Sequence, residues 1–181
     1  MRKLLLLDHT ALVQHRNGPG VYINNRDDMT LVPGILGALE PYVDRNYNVA
    51  ICSNQGGVEK GHLAFGACQN LFGEMFKLSN YWVQAIWFCP LARGSTGSYA
   101  IQMTMPYEPK TYTKCQKYAT TGYRMPQAGM ILAAMDWFRV TPEQTTMVGL
   151  QPEAYYAAAD AGVKKFVHSS YFVEKAGVLQ Q

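Results

Sequence analysis

Three stretches of the chain carry residues able to do chemistry. The first is Asp8, which follows Leu4-Leu5-Leu6-Leu7. Four consecutive leucines read as a strand buried on both faces, as in the middle of a parallel sheet. A carboxylate at the end of such a strand points into the crevice where open α/β sheets bind ligands. An Asp there can equally do no more than start a turn. The second stretch is Ser53-Asn54-Gln55-Gly56-Gly57, a hydroxyl followed by a glycine-rich turn whose backbone N–H groups suit an anion. The third is Arg124-Met125-Pro126-Gln127-Ala128-Gly129-Met130, which brings a guanidinium.

The elements that must position these residues alternate. A strand ending at Asp8 is followed by a polar, turn-rich flap or short hairpin over 9–32, with Gly18-Pro19-Gly20 and Asn24-Asn25-Arg26-Asp27-Asp28. Pro33-Gly34 opens a helix to about Arg45, with Ile35, Leu36, Leu39, Tyr42 and Val43 at helical spacing. Tyr47–Ser53 reads as a second strand, Leu63–Leu78 as an amphipathic helix and Trp82–Phe88 as a third strand. Residues 126–138 read as a helix, Thr145–Gly149 as a fourth strand, Ala154–Ala161 as a helix and Lys164–Val167 as a fifth strand. Strands alternating with helices imply a parallel sheet with right-handed crossovers.

Composition narrows the class. The 181 residues suffice for one domain, with 48% apolar and 16% charged residues and a formal net charge of +3. That charge alone implies no particular partner. No apolar run is long enough to span a membrane, and the first strand starts too close to Met1 to leave room for a removable leader. Cys52, Cys68, Cys89 and Cys115 are widely spaced, with no CxxC pair. They read as reduced, mostly buried thiols, and the chain as cytoplasmic.

The order strand-Asp, strand-Ser-Asn-Gln-Gly, Arg-x-Pro-x-x-Gly-Met, strand-Val-Gly, then Ala-Ala-x-Ala-Gly-Val resembles the haloacid dehalogenase (HAD) superfamily. More narrowly it is similar to the small, nearly capless phosphatases: histidinol-phosphate, heptose bisphosphate and polynucleotide 3′-phosphatases. The resemblance covers nearly the whole chain. It implies a three-layer Rossmann-like fold. Its central parallel sheet has about five strands in the order 5-4-1-2-3, with helices on both faces. The whole of 1–181 is then a single domain, with the flap at 9–32 and a basic, tyrosine-rich insertion at 93–124. It also implies roles. Asp8 stands at the nucleophile, which forms an aspartyl phosphate. Ser53 and Asn54 stand at the phosphate-binding stretch, with Arg124 as a side-chain helper. Family members hold Mg²⁺ between the nucleophile and acidic residues after the fourth strand.

Several positions depart from that pattern. Thr10 occupies the acid–base position, where a hydroxyl cannot donate a proton as a carboxylic acid does at neutral pH. Met125 stands where the lysine belongs, Leu150 where a metal-binding Asp belongs, and Ala154 where a further acid is usual. Glu153 has an acidic counterpart in family members that keep the Asp. A neutral, partly apolar crevice needs no metal to offset clustered carboxylates. The sequence therefore reads as a phosphatase-like protein that is catalytically inactive or severely impaired, a pseudophosphatase acting as a binding or structural module, with no metal cofactor expected. The alternative is a divergent phosphomonoesterase that uses Asp8 as nucleophile on a small phosphate ester or a nucleic-acid 3′-phosphate and requires Mg²⁺.

Related branches carry a Cys/His zinc loop after the third strand. Here Cys89-Pro90-Leu91 has leucine in the histidine place, and Thr121-Gly122-Tyr123 replaces the second cysteine pair. Four ligands are needed, so no zinc is expected and Cys89 reads as a packing residue. His9, His15, His62 and His168 are scattered and read as ordinary surface or core residues. The insertion at 93–124 sets Arg93, Lys110, Lys114, Lys117 and Arg124 against Glu108, with Tyr99, Tyr107, Tyr112, Tyr118 and Tyr123 interleaved. That mixture suits a solvated loop with its tyrosines packed back on the sheet, a protein contact, or less readily a nucleic acid.

Overall fold

The computed structural model describes residues 2–18 and 22–179. Pro19 and Gly20 of the expected turn lie outside the described residues. The core of the molecule is β1 (Lys3–Asp8), whose leucines are all fully buried. Side chains alternate across a strand. Leu4 and Leu6 therefore enter one core and Leu5 and Leu7 the other, on opposite faces of the sheet. Full burial of each stabilises the fold by about 1.5–3 kcal/mol.

Three short pieces follow Asp8: α1 (His9–Leu12), β2 (Val13–His15) and β3 (Met29–Leu31). Strands β2 and β3 pair antiparallel, so the flap is a small hairpin. Helix α2 (Ile35–Val43) leads to β4 (Tyr47–Asn54), then α3 (Phe65–Leu78) and β5 (Val83–Cys89). The insertion contributes β6 (Ala100–Thr104) and β7 (Thr113–Cys115). The chain closes with α4 (Gly129–Phe138), β8 (Thr145–Gly149), α5 (Pro152–Asp160), β9 (Lys165–His168) and α6 (Ser169–Leu179).

The sheet runs β7-β6-β5-β4-β1-β8-β9. Its five parallel strands, β9-β8-β1-β4-β5, stand in the order expected from the motifs. The strand count differs: seven rather than about five. The extra two are antiparallel and come from the insertion, with Phe88 opposite Ile101 and Gln102 opposite Thr113. Ala100, Ile101, Gln102 and Met103 are buried, and they continue both cores past β5. The tyrosines of the insertion mostly pack inward. Tyr107 lies against Phe76 and so close to α3 that a Cβ on Gly73 would meet its ring at 2.5 Å. Tyr112 packs edge-on to Phe65, and Tyr123 is buried.

Helix boundaries also shift, and one helix was not expected. Helix α4 begins at Gly129 rather than 126, because Arg124–Ala128 forms a tight turn and the Gly129 N–H donates to the Gly122 carbonyl at 2.8 Å. Helix α6, unmarked by any sequence signal, packs on α2, with Phe172 against Tyr42.

Candidate active site

The parallel register sets Asp8 beside Cys52 and Leu7 beside Val148. The loops after β1, β4 and β8 therefore meet at one edge of the sheet. A cavity of about 190 Å³ opens there, lined by Asp8, His9, Thr10, Asn54, Met125, Gln151, Glu153 and Ala154. Of the residues singled out from sequence, Asp8, Thr10, Asn54, Met125, Glu153 and Ala154 lie on it. Leu150 follows β8 directly but is not among the lining residues, and neither is Ser53 nor Arg124.

Asp8 is buried and makes no side-chain cap on α1. Its carboxylate is held from both sides. Thr10 Oγ1 donates to Oδ2 at 3.0 Å, and His9 Nδ1 lies 3.0 Å from Oδ1. The same Nδ1 is 2.9 Å from Ser53 Oγ, which also accepts from Gln55 Nε2 at 2.9 Å. A carboxylate only accepts, so Nδ1 is the donor, shared between Asp8 and Ser53. The Asp8 charge is also felt by Cys52 behind it. Burial, and then the neighbouring carboxylate, push the Cys52 thiol far above its usual pKa.

Asn54 clamps the second loop onto the first. Its Oδ1 accepts from the Met125 N–H and its Nδ2 donates to the Met125 carbonyl, both at 2.9 Å. This pins Met125, 4% exposed, over the pocket. The Arg124 guanidinium turns the other way and donates to the Leu91 carbonyl at 2.9 Å. It braces the loop after β5. From the turn after β4, Glu59 accepts from the Ala92 N–H and from Ser95 Oγ of that loop, and these bonds, the backbone one first, hold its carboxyl below the usual glutamate range.

Two residues that line the pocket were not singled out by sequence, His9 and Gln151. For His9 the only signal was adjacency to Asp8, since as first residue of α1 it must sit at the same mouth. Mg²⁺ prefers octahedral oxygen ligands and commonly uses one or two carboxylates with waters and phosphate oxygens. The pocket offers Asp8, whose two oxygens already have donors, and Glu153. Leu150 contributes an alkyl chain where the resemblance places a carboxylate. Among the described residues no three His, Cys, Asp or Glu side chains gather as a metal group.

No protein-family model matches the chain. It is 27% identical over 167 residues to the D-glycero-beta-D-manno-heptose-1,7-bisphosphate 7-phosphatase of Haemophilus ducreyi, an alignment covering 90% of this chain and 80% of that one. The protein of the same name from Haemophilus influenzae is 25% identical, with 91% and 79% covered. Among solved structures, the D,D-heptose 1,7-bisphosphate phosphatase of B. bronchiseptica, complexed with magnesium and phosphate, superposes with a TM-score of 0.72 at 18% identity, over 99% of this chain and 98% of that one. Most of the chain is thus similar to proteins named as heptose bisphosphate phosphatases, and it shares their fold. Asp8 ends the first strand of that fold, while Thr10, Met125 and Leu150 stand where the resemblance places other groups. The Burkholderia thailandensis D,D-heptose 1,7-bisphosphate phosphatase shares the fold more distantly, with a TM-score of 0.56 at 13% identity over 99% of both chains. Among the described residues no helix is long and apolar enough to cross a membrane.

Proposed function

We propose that the chain is a divergent HAD phosphatase of the heptose bisphosphate phosphatase type, with Asp8 as nucleophile and severely impaired turnover. The single observation that carries this reading is Asp8 itself. It is buried at the floor of a pocket, in the nucleophile position, with its carboxylate oriented by Thr10 and His9. The likeness of most of the chain to enzymes named as heptose bisphosphate phosphatases supports the substrate class, a small sugar phosphate.

In this reading an Asp8 oxygen forms a bond to phosphorus and the ester P–O bond breaks. The leaving alkoxide takes its proton from solvent, because the Thr10 hydroxyl is no acid at neutral pH. Water then attacks phosphorus, releasing inorganic phosphate and restoring the carboxylate. Loss of a positioned general acid alone costs typically 10²–10⁴-fold. Met125 supplies no charge for the developing phosphoryl negative charge. Asp8 and Glu153 are the two carboxylates that the pocket would offer a Mg²⁺ ion, a number such a site commonly uses beside waters and phosphate oxygens.

A second reading is favoured by Met125 and Leu150, apolar where the family pattern is charged. In it the pocket binds phosphate without hydrolysing it. The backbone N–H groups after β4 attract an anion and Asp8 repels it at short range. The two readings separate experimentally. Slow hydrolysis of a sugar phosphate, abolished by Asp8→Asn, is expected of the enzyme. Turnover indistinguishable from that of Asp8→Asn, together with tighter calorimetric phosphate binding by Asp8→Asn, selects the binding module instead.

A further inference from the structure

A second, larger cavity of about 440 Å³ lies on the other flank of the sheet, between β7 and α4, and shares no lining residue with the Asp8 pocket. Its size is that of an ordinary small-molecule site. Two of its lining residues carry buried donors that are unpaired among the described residues. Trp87 is 1% exposed and its Nε1–H has no hydrogen-bond partner there; Gln102 is 6% exposed and its Nε2 has none there either. A buried donor left unmade costs about 1–3 kcal/mol, so two beside one cavity need a reason. The side chain that covers them is Cys115. Its thiol reaches Gln102 Oε1 at 3.7 Å. Burial raises the Cys115 pKa, and the Trp87 indole N–H pulls it partly back, which places that N–H beside the sulfur. Sulfur is a weak acceptor and does not satisfy an indole N–H.

Aromatic rings also line it, among them Tyr118 and the half-exposed Trp137. The cations at the rim are already engaged. Lys117 pairs with Asp136, and Lys114 sits 4.2 Å from the Tyr99 ring centre. A ligand here must therefore bring a neutral acceptor and a flat face.

We propose that this cavity binds a planar heterocycle bearing an exocyclic carbonyl oxygen, of the oxo-pyrimidine or oxo-purine kind. The ring stacks on Tyr118 and Trp137, and rotation of the Cys115 side chain uncovers the Trp87 and Gln102 donors for the carbonyl. The site is independent of Asp8 chemistry.

The test uses the full chain, ¹⁵N-labelled, titrated with uridine and separately with a phenyl C-nucleoside, whose ring is flat but carries no hydrogen-bond acceptor. Uridine is expected to move the Trp87 indole N–H resonance saturably, and the phenyl nucleoside to bind at least about fivefold more weakly, the worth of one neutral hydrogen bond. Cys115→Ala, which removes the cover, is expected to tighten uridine binding several-fold and leave phosphate binding at the Asp8 pocket unchanged. A Trp87 resonance that stays fixed, equal affinity for the two nucleosides, or no gain in Cys115→Ala would each overturn the proposal.

Discussion

At the scale of single residues, the pocket is a set of interdependent groups rather than a sum of parts. Thr10, Met125 and Leu150 each depart from the pattern that the chain resembles. Groups that act together are strongly non-additive. Thr10→Asp, Met125→Lys or Leu150→Asp alone is expected to leave sugar-phosphate hydrolysis within about threefold of the parent rate. The triple variant, assayed with added Mg²⁺, is expected to gain roughly 10²-fold or more, the scale of a restored general acid. A single variant matching the triple one would refute the coupling. Most of this site was legible in the sequence. Asp8, Thr10, Asn54 and Met125 were marked by motif and do line one pocket. What escaped was orientation. A motif fixes where Arg124 and Ser53 sit along the chain but not which way they turn. One guanidinium bond to Leu91 and one imidazole contact to Ser53 decide that.

At the scale of elements, the site depends on loops tied to each other by few bonds. Asn54 joins the turn after β4 to the Met125 backbone with two hydrogen bonds. Asn54→Ala loses both and leaves the Met125 N–H and C=O without those partners. The expected cost is about 2–3 kcal/mol of stability, read from the shift of the urea midpoint at unchanged slope. Glu59 ties the loop after β5 in the same way but from the surface. Its folded pKa is depressed by the Ala92 N–H and Ser95 bonds. A depressed carboxylate contributes its tie above its unfolded pKa and loses it as pH falls through the folded value. The Ala92 amide proton resonance should therefore titrate with a midpoint below the ordinary glutamate value of about 4.3. A midpoint at or above that value would mean the tie is absent in solution. Strands with strong apolar runs were readable from sequence, whereas β6 and β7 were not. Ala100–Thr104 is short and sits among polar turns, and its pairing with β5 and β7 makes it a strand.

At the scale of the whole molecule, two cores share one sheet. Leu6 belongs to one and Leu7 to the other, yet they are neighbours in β1. Leu6→Ala and Leu7→Ala are each expected to cost about 2–5 kcal/mol. Because the strand between the cores is common, unfolding followed by tryptophan fluorescence and by far-ultraviolet circular dichroism should coincide for both variants. Separate transitions would show that the faces melt independently. The outer strands of that sheet carry a different consequence. β7 has three residues and β9 has four, each with a lysine, Lys114 and Lys165. Such stubby, charged margins offer little ladder for another copy to extend. Concentrated solutions of the protein should thus resist fibre growth by strand addition, and the margin most exposed to it is the one that appears when β6 and β7 peel away from β5.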